Sequence, residues 1–232
     1  MTYLGRLDPL AEGVLLVGSG EDTKQEQREK FFGLDKEYDF ISLFGFATDT
    51  YDVLGRILRV EKIKDLNELD LIKMTKVYEG EREQNYPAFS SKIISSTKTS
   101  PRKVPGSPFA PLRAQPDIFS EKFSPKKVII HKMQFHGLDT LTHKELFGRL
   151  LMDISKVNGD FRQHEILVLW KKMLESYHDQ KIYLGKWSAG VSSGTYIRGL
   201  VNDIGNTLGV GATTLSIVRK RVGDYNIENS QK

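Results

Sequence analysis

The sequence predicts an α+β fold, and three features of its patterning point there. Short segments with a period near two alternate with amphipathic segments of helical period, and seven of the eight prolines gather between Pro87 and Pro125. Proline lacks a backbone donor and biases its predecessor away from the helical region, so that stretch is neither a continuous helix nor a central strand. Residues 87–126 read as a long Pro-rich basic loop joining two structured halves, and loops of such length are often functional.

In the first half, Glu37 to Phe44 sets Tyr38, Phe40, Ser42 and Phe44 against Asp39, Ile41 and Leu43. Both faces are largely apolar, which predicts a buried strand. Val53 to Val60 predicts a second strand. Asp65 to Tyr78 predicts a helix whose apolar face carries Leu66, Leu69, Ile72 and Val77. In the second half, Lys127 to Phe135 predicts a strand. Thr142 and Glu145 then form a T-x-x-E capping box ahead of Leu146, Phe147, Leu150 and Leu151, predicting a helix that runs to about Lys156 and closes at Asn158-Gly159. His164 to Tyr177 predicts a helix, Lys181 to Val191 a strand, and Thr195 to Leu208 an amphipathic helix stopped by Gly209. No internal repeat is visible.

A chain of 232 residues with 39% hydrophobic and 28% charged residues is long enough, and mixed enough, to bury a core. The absence of cysteine excludes a disulfide framework, a Cys-ligated zinc and a thiol nucleophile. No apolar run approaches the ~20 residues of a membrane helix. The early run Val14 to Val17 is short and follows Asp8 and Glu12, unlike a signal peptide. A cytoplasmic protein without membrane contact is expected. The net charge is +4, but Lys92 to Lys132 holds nine Lys and Arg residues against Asp117 and Glu121 alone. Such a field attracts a polyanion such as nucleic acid, although taken alone it is better read as a solvated basic loop. The five histidines form no ligand-spaced pair, and no Ser-His-Asp arrangement is suggested.

The chemistry concentrates in four motifs. The N-terminal stretch reads Gly5-Arg6-Leu7-Asp8-Pro9-Leu10-Ala11-Glu12-Gly13-Val14-Leu15-Leu16, followed by Gly20-Glu21-Asp22-Thr23-Lys24. From spacing alone, Asp8 is best read as the N-cap of a helical turn with Pro9 at its first position. Lys36-Glu37-Tyr38 precedes Gly45 and then Thr48-Asp49-Thr50-Tyr51-Asp52-Val53-Leu54-Gly55. Ser192-Ser193-Gly194-Thr195-Tyr196-Ile197-Arg198 follows, and Leu208-Gly209 with Gly211-Ala212, Arg219, Val222-Gly223 and Tyr225 closes the series.

Together these resemble, in order, the G-x-LDPLAxGVLxV, K-x-Y…TDT-x-D-x-x-G, S-x-GTYIR and closing motifs of the TruB family of tRNA pseudouridine synthases. The resemblance implies a pseudouridine-synthase-like catalytic domain, with a mixed, largely antiparallel sheet and flanking helices. One such domain would span residues 1–232, with 140–180 as a helical insertion. It also implies the activity of a tRNA pseudouridine-55 synthase, which isomerises a T-loop uridine. An isomerisation needs no cofactor, and no metal is expected. The partner implied is the T-arm of tRNA, with the protein a monomer needing no obligatory protein partner. Two alternatives remain: an inactive RNA-binding protein that remodels tRNA, and an enzyme acting on ribosomal RNA, to which Gly5-Arg6-Leu7-Asp8 alone is similar.

By resemblance, Asp8 is the nucleophile that acts on the sugar or base; carboxylates of ordinary pKa, ~3.9 for aspartate, are ionised at neutral pH. Arg198 would hold it ionised and oriented. A cation in a helix's first turn is disfavoured by the helix dipole unless a carboxylate faces it. Tyr38 would stack on the target base and assist proton removal from its C5, and Ile217 would line the base pocket. Lys24, Thr48, Asp49 and Tyr196 are expected near the substrate. Arg102, Lys103, Lys126 and Lys127 are expected to bind phosphates, as is the run Arg219-Lys220-Arg221. Each has a plainer alternative: a surface arginine, a half-buried strand tyrosine, a core isoleucine, Asp and Thr capping their own turn. Only seven residues precede Asp8, where the family usually carries a strand, a K-P-x-G turn and a helix. The chain also stops soon after Tyr225, so the family's small C-terminal RNA-binding domain is expected to be absent and tRNA binding weaker.

Overall fold

The computed structural model describes residues 1–87, 125–178 and 180–230. Three short strands come first, β1 (Thr2–Tyr3), β2 (Ala11–Gly13) and β3 (Val17–Gly18), then helix α1 (Gln25–Phe32). Strand β4 (Lys36–Phe44) leads into the antiparallel pair β5 (Phe46–Thr48) and β6 (Ile57–Val60), followed by α2 (Glu68–Tyr78) and β7 (Gly80–Gln84). Next come β8 (Lys126–Leu141), α3 (His143–Ser155), α4 (Gln163–Leu174) and β9 (Ile182–Val191). The last elements are α5 (Ile197–Thr207), β10 (Ala212–Val222) and β11 (Tyr225–Asn226).

A seven-stranded sheet organises these elements in the order β11-β10-β4-β9-β8-β7, with β2 joining the edge of β10. Every neighbour is antiparallel except β2, which runs parallel to β10. The α+β class and the largely antiparallel sheet are as the sequence predicts.

The period of two along β4 directs side chains to two cores, one on each face. Phe40 and Phe44 join Trp187, Leu71, Leu200 and Ile204 beneath α2 and α5. Leu43 joins Leu146, Leu150, Ile166 and Trp170 beneath α3 and α4. Trp170 is fully buried, and its indole N–H donates to the carbonyl of Val53 at 3.1 Å. It therefore fills the second core and also satisfies a buried turn. Trp170→Ala should destabilise the fold by about 3–5 kcal/mol, read as a lower urea midpoint. The capping box is present as expected, with Thr142 and Glu145 each accepting from the other's backbone. Helix α5 packs closely on β10, where a Cβ on Gly205 would stand 2.1 Å from the backbone nitrogen of Ala212.

Several expectations are corrected. The strand expected over Val53 to Val60 begins only at Ile57, because Val53 to Gly55 form a turn in which Gly55 N–H donates to the Asp52 carbonyl. Helix α2 buries Leu71, Thr75 and Tyr78, while Leu69, Ile72 and Val77 are exposed. The apolar count favoured the wrong face because Thr75 and Tyr78, on the buried one, are not simple hydrophobes. Strand β8 continues six residues past Phe135, since a bulge at Phe135/Gly137 absorbs the glycine that reads as a stop. Asp8 caps no helix: Ala11 N–H donates to the Asp8 carbonyl across a tight turn that enters β2. Strand β10 was not anticipated at all. Most of the 87–126 loop, including Arg102 and Lys103, lies outside the described residues.

Candidate active site

One edge of β10 assembles the site. Strand β2 pairs there through Ile217↔Ala11, Val218↔Glu12 and Arg219↔Gly13, which fixes the Asp8 turn. A few residues along, Thr214 bridges to Asp52. Its N–H donates to the Tyr51 carbonyl, and its carbonyl accepts from Val53, which docks the Thr48–Asp52 loop beside the first turn. Gly13 is required for this closeness. Its φ is +102°, and a Cβ would fall 2.2 Å from the Arg219 carbonyl oxygen. Gly13→Ala should displace β2 and with it Asp8. A turnover loss of ~10-fold or more at unchanged RNA affinity is expected, checked by single-turnover rates beside a binding titration.

Arg198 enters from the other side, in the first turn of α5, and is 2% exposed. Its Nε donates to Oδ2 of Asp8 at 2.7 Å and its Nη2 to Oδ1 at 2.9 Å, a bidentate fork. Nη1 donates to the Thr50 carbonyl at 2.5 Å. Asp52 stands behind, with Oδ2 3.7 Å from Nε. Its other oxygen accepts from Thr50 Oγ1 at 2.6 Å and from Leu54 N–H at 3.0 Å. Burial opposes the charge of Arg198, but Asp8 and Asp52 together outweigh it and raise the pKa. Burial also dominates at Asp52, pushing its pKa up against the pull of Arg198. The short fork to Asp8 is therefore the stronger attachment, and Asp52 is a more distant, buried counter-charge.

Asp8 lines a cavity of about 260 Å³ together with Tyr38, Tyr196, Ile217 and Arg219. Tyr38 lies on β4 opposite Arg219 of β10, and burial raises its pKa while the neighbouring guanidinium opposes the rise. Tyr196, just ahead of α5, is held by a reciprocal pair of hydrogen bonds. Its N–H donates to Gln84 Oε1 at 2.8 Å, and Gln84 Nε2 donates to its carbonyl at 2.9 Å. This buried amide sets the entry of α5 and so the reach of Arg198.

The structure gathers Asp8, Tyr38, Tyr196, Ile217 and, behind Asp8, Arg198. Lys24 is elsewhere, exposed and paired with Glu21. Thr48 and Asp49 do not line the cavity. Thr48 Oγ1 donates to the Asp52 carbonyl at 2.7 Å, and Asp49 accepts from Arg56 N–H at 2.8 Å and Arg162 Nη1 at 3.2 Å. They shape the loop that meets Arg198. Lys126 reaches the cavity mouth through Ser193, while Lys127 is exposed on β8. Arg219 corrects the reading of the basic run Arg219-Lys220-Arg221 as phosphate contacts. It is 3% exposed and ties down the N-terminal loop, donating to the carbonyls of Val14 at 2.7 Å and Arg6 at 3.2 Å. Arg221 pairs with Glu37. Sequence reasoning names Lys36 only as the start of the Lys36-Glu37-Tyr38 motif, without a role, and misses Gln84, for which alternation along a strand carries no functional signal. Among the described residues, no group of three His, Asp or Glu side chains is placed to hold a metal.

The fold and this cleft define a class before they define a family. The structure overlays on a chain from the crystal structure of a Cbf5-Nop10-Gar1 complex with a TM-score of 0.51 at 19% identity, covering 97% of this chain and 40% of that one, a likeness of fold. Residues 1–118 match the family model described as TruB family pseudouridylate synthase (N terminal domain). The chain belongs to the TruB family. It is 27% identical to tRNA pseudouridine synthase 4 of Saccharomyces cerevisiae over 99% of its length, and 30% identical to tRNA pseudouridine synthase B of Mycoplasma mobile over 99%. It is 28% identical to tRNA pseudouridine synthase B of Endomicrobium trichonymphae over 98%. The chain spans 62%, 61% and 75% of those relatives' own lengths. No described helix is long and apolar enough to cross a membrane.

Proposed function

We propose that this protein isomerises a uridine of the tRNA T-loop, at position 55, to pseudouridine, as one catalytic domain acting as a monomer in the cytoplasm. The observation that carries this reading is the bidentate fork between Asp8 and buried Arg198 at the wall of a small cavity. In the reaction the N1–C1′ bond breaks, the base turns, and a C5–C1′ bond forms. A proton leaves C5 and N1 gains one, so atoms and electrons balance without a cofactor. Asp8 presents an oriented carboxylate to the sugar or base, and Arg198 spends its planar fork holding it. Tyr38, buried beside Asp8, offers a ring for the base and a hydroxyl near the proton leaving C5. Ile217 supplies an apolar wall. A base inside folded RNA must be extruded at a cost of a few kcal/mol, which phosphate contacts from Arg102, Lys103, Lys126 and Lys127 would offset. Tyr196 acts at this centre, Thr48 and Asp49 shape the loop that meets Arg198, and Lys24, outside the cavity, would meet the substrate only at a distance from it.

The test is to incubate the protein with unmodified tRNA and, separately, with a ribosomal RNA fragment. Pseudouridine is then mapped at each position by carbodiimide-dependent reverse-transcription stops. A stop at one T-loop uridine of tRNA is expected. Stops confined to the ribosomal fragment would overturn the substrate assignment.

A further inference from the structure

Two lysines converge on the turn at the mouth of the cavity. Nζ of Lys36 donates to Ser193 Oγ at 3.2 Å and to the Leu34 carbonyl at 2.5 Å. Nζ of Lys126 donates to the Ser193 carbonyl at 2.6 Å. Gly194, at φ +82°, lies against the second ammonium so closely that a Cβ there would stand 1.7 Å from Nζ. One lysine from β4 and one from β8 thus bracket the same backbone turn just ahead of α5.

The local charge is unbalanced. Among the described residues, the cavity wall carries Arg6, Lys36 and Arg219 against one carboxylate, Asp8, which is engaged by Arg198. Among the described residues, both hydrogen-bond partners of the Lys36 ammonium are neutral oxygens. Burial first, then Arg219 on β10 and Lys126 on β8, lower its pKa to about 8, opposed by Asp35 in the preceding loop. Holding a cation half-buried among cations is costly, and an anion delivered by a ligand relieves that cost. Tying the turn down does not require two ammonium groups, since a neutral donor would bond Ser193 as well.

We propose that Lys36 and Lys126 form a phosphate subsite at the cavity mouth, holding the backbone phosphate that adjoins the nucleotide inserted in the cavity. The proposal rests on the reading that an RNA nucleotide enters beside Asp8. It deepens that reading by assigning one particular phosphate jointly to Lys126, which closes the 87–126 segment, and to Lys36, which lies outside it. A lysine ammonium, a compact point charge with three donors, can keep its bond to Ser193 while turning another N–H to a phosphate oxygen.

The experiment uses the full chain and a T-arm hairpin RNA in which each T-loop linkage in turn is an uncharged methylphosphonate. Binding is measured for the wild type, Lys36→Gln and Lys126→Gln on fully reacted hairpin, because isomerisation leaves every phosphate in place. At one linkage, neutralisation should weaken wild-type binding by about 10-fold. At that linkage the penalty should fall below about two-fold in both variants, with penalties elsewhere unchanged. A turn merely loosened by the substitution would weaken binding without coupling to any single linkage. Full penalties at every linkage in both variants, or wild-type affinity in both, would overturn the proposal. Lys126, on β8 and outside the cavity wall, provides the same comparison if Lys36→Gln does not fold. Absence of pseudouridine in the wild-type reaction would count against the isomerase reading alone, because the coupling is read from binding.

Discussion

Asp8→Asn should reduce pseudouridine formation by on the order of 10^4-fold or more, while RNA affinity stays within a few-fold of wild type. Asparagine keeps the volume and one acceptor oxygen, so the turn into β2 and its pairing with β10 should persist. What is lost is the anionic oxygen that faces the cavity and accepts from Arg198. The amide nitrogen cannot accept from the guanidinium, so one arm of the fork is left without its partner. Asp8 is about 31% exposed at its side chain, and solvent can reach the orphaned donor. The cost should therefore appear in turnover more than in the unfolding midpoint. Turnover near wild type would remove Asp8 from the reaction.

Arg198→Lys should lower turnover by about 10²- to 10³-fold with little change in RNA binding. The charge survives but the geometry does not. Arg198 serves three acceptors at once, Asp8 Oδ1, Asp8 Oδ2 and the Thr50 carbonyl, from one plane. A lysine ammonium can hold the carboxylate at a single point and cannot lock its rotation. Asp52 stays buried in either case, with Thr50 and Leu54 still bonded to it, so the loop keeps its shape. Because Arg198 is 2% exposed, it cannot meet an RNA phosphate without rearrangement. The comparison is made between single-turnover rates and equilibrium binding. A variant with normal turnover but weakened binding would make Arg198 an RNA contact instead.

Much of this architecture was legible because local rules and tertiary demands agree. Strand β4 reads as buried on both faces and is so from Ser42 to Phe44, while Glu37 and Asp39 on one face are exposed; Thr142 and Glu145 read as a capping box and form one. The Asp8–Arg198 approach was legible through the family resemblance: the dipole argument says that a cation two residues into a helix is better placed facing an acid, but it does not say which acid. The failures have a common origin. Strand β10 places Thr213 and Thr214 in the interior, where the Thr213 hydroxyl and the Thr214 backbone meet the Thr48–Asp52 loop, so polarity concealed a central strand. Arg219 looks like one member of a surface basic run, yet its guanidinium is spent on carbonyls of a loop more than 200 residues away in sequence. Gln84 is invisible for the same reason. Its value lies wholly in the backbone of Tyr196, which no local pattern can announce.

The most direct measurement is a single-turnover reaction of excess protein with a T-arm hairpin, read at nucleotide resolution and by mass. The geometry around Asp8 predicts that one T-loop uridine is converted to completion with no change in RNA mass, and that Asp8→Asn binds the same hairpin without converting it. Tight binding of the hairpin by the wild type with every uridine left unchanged would contradict it, leaving a protein that grips RNA without doing chemistry on it.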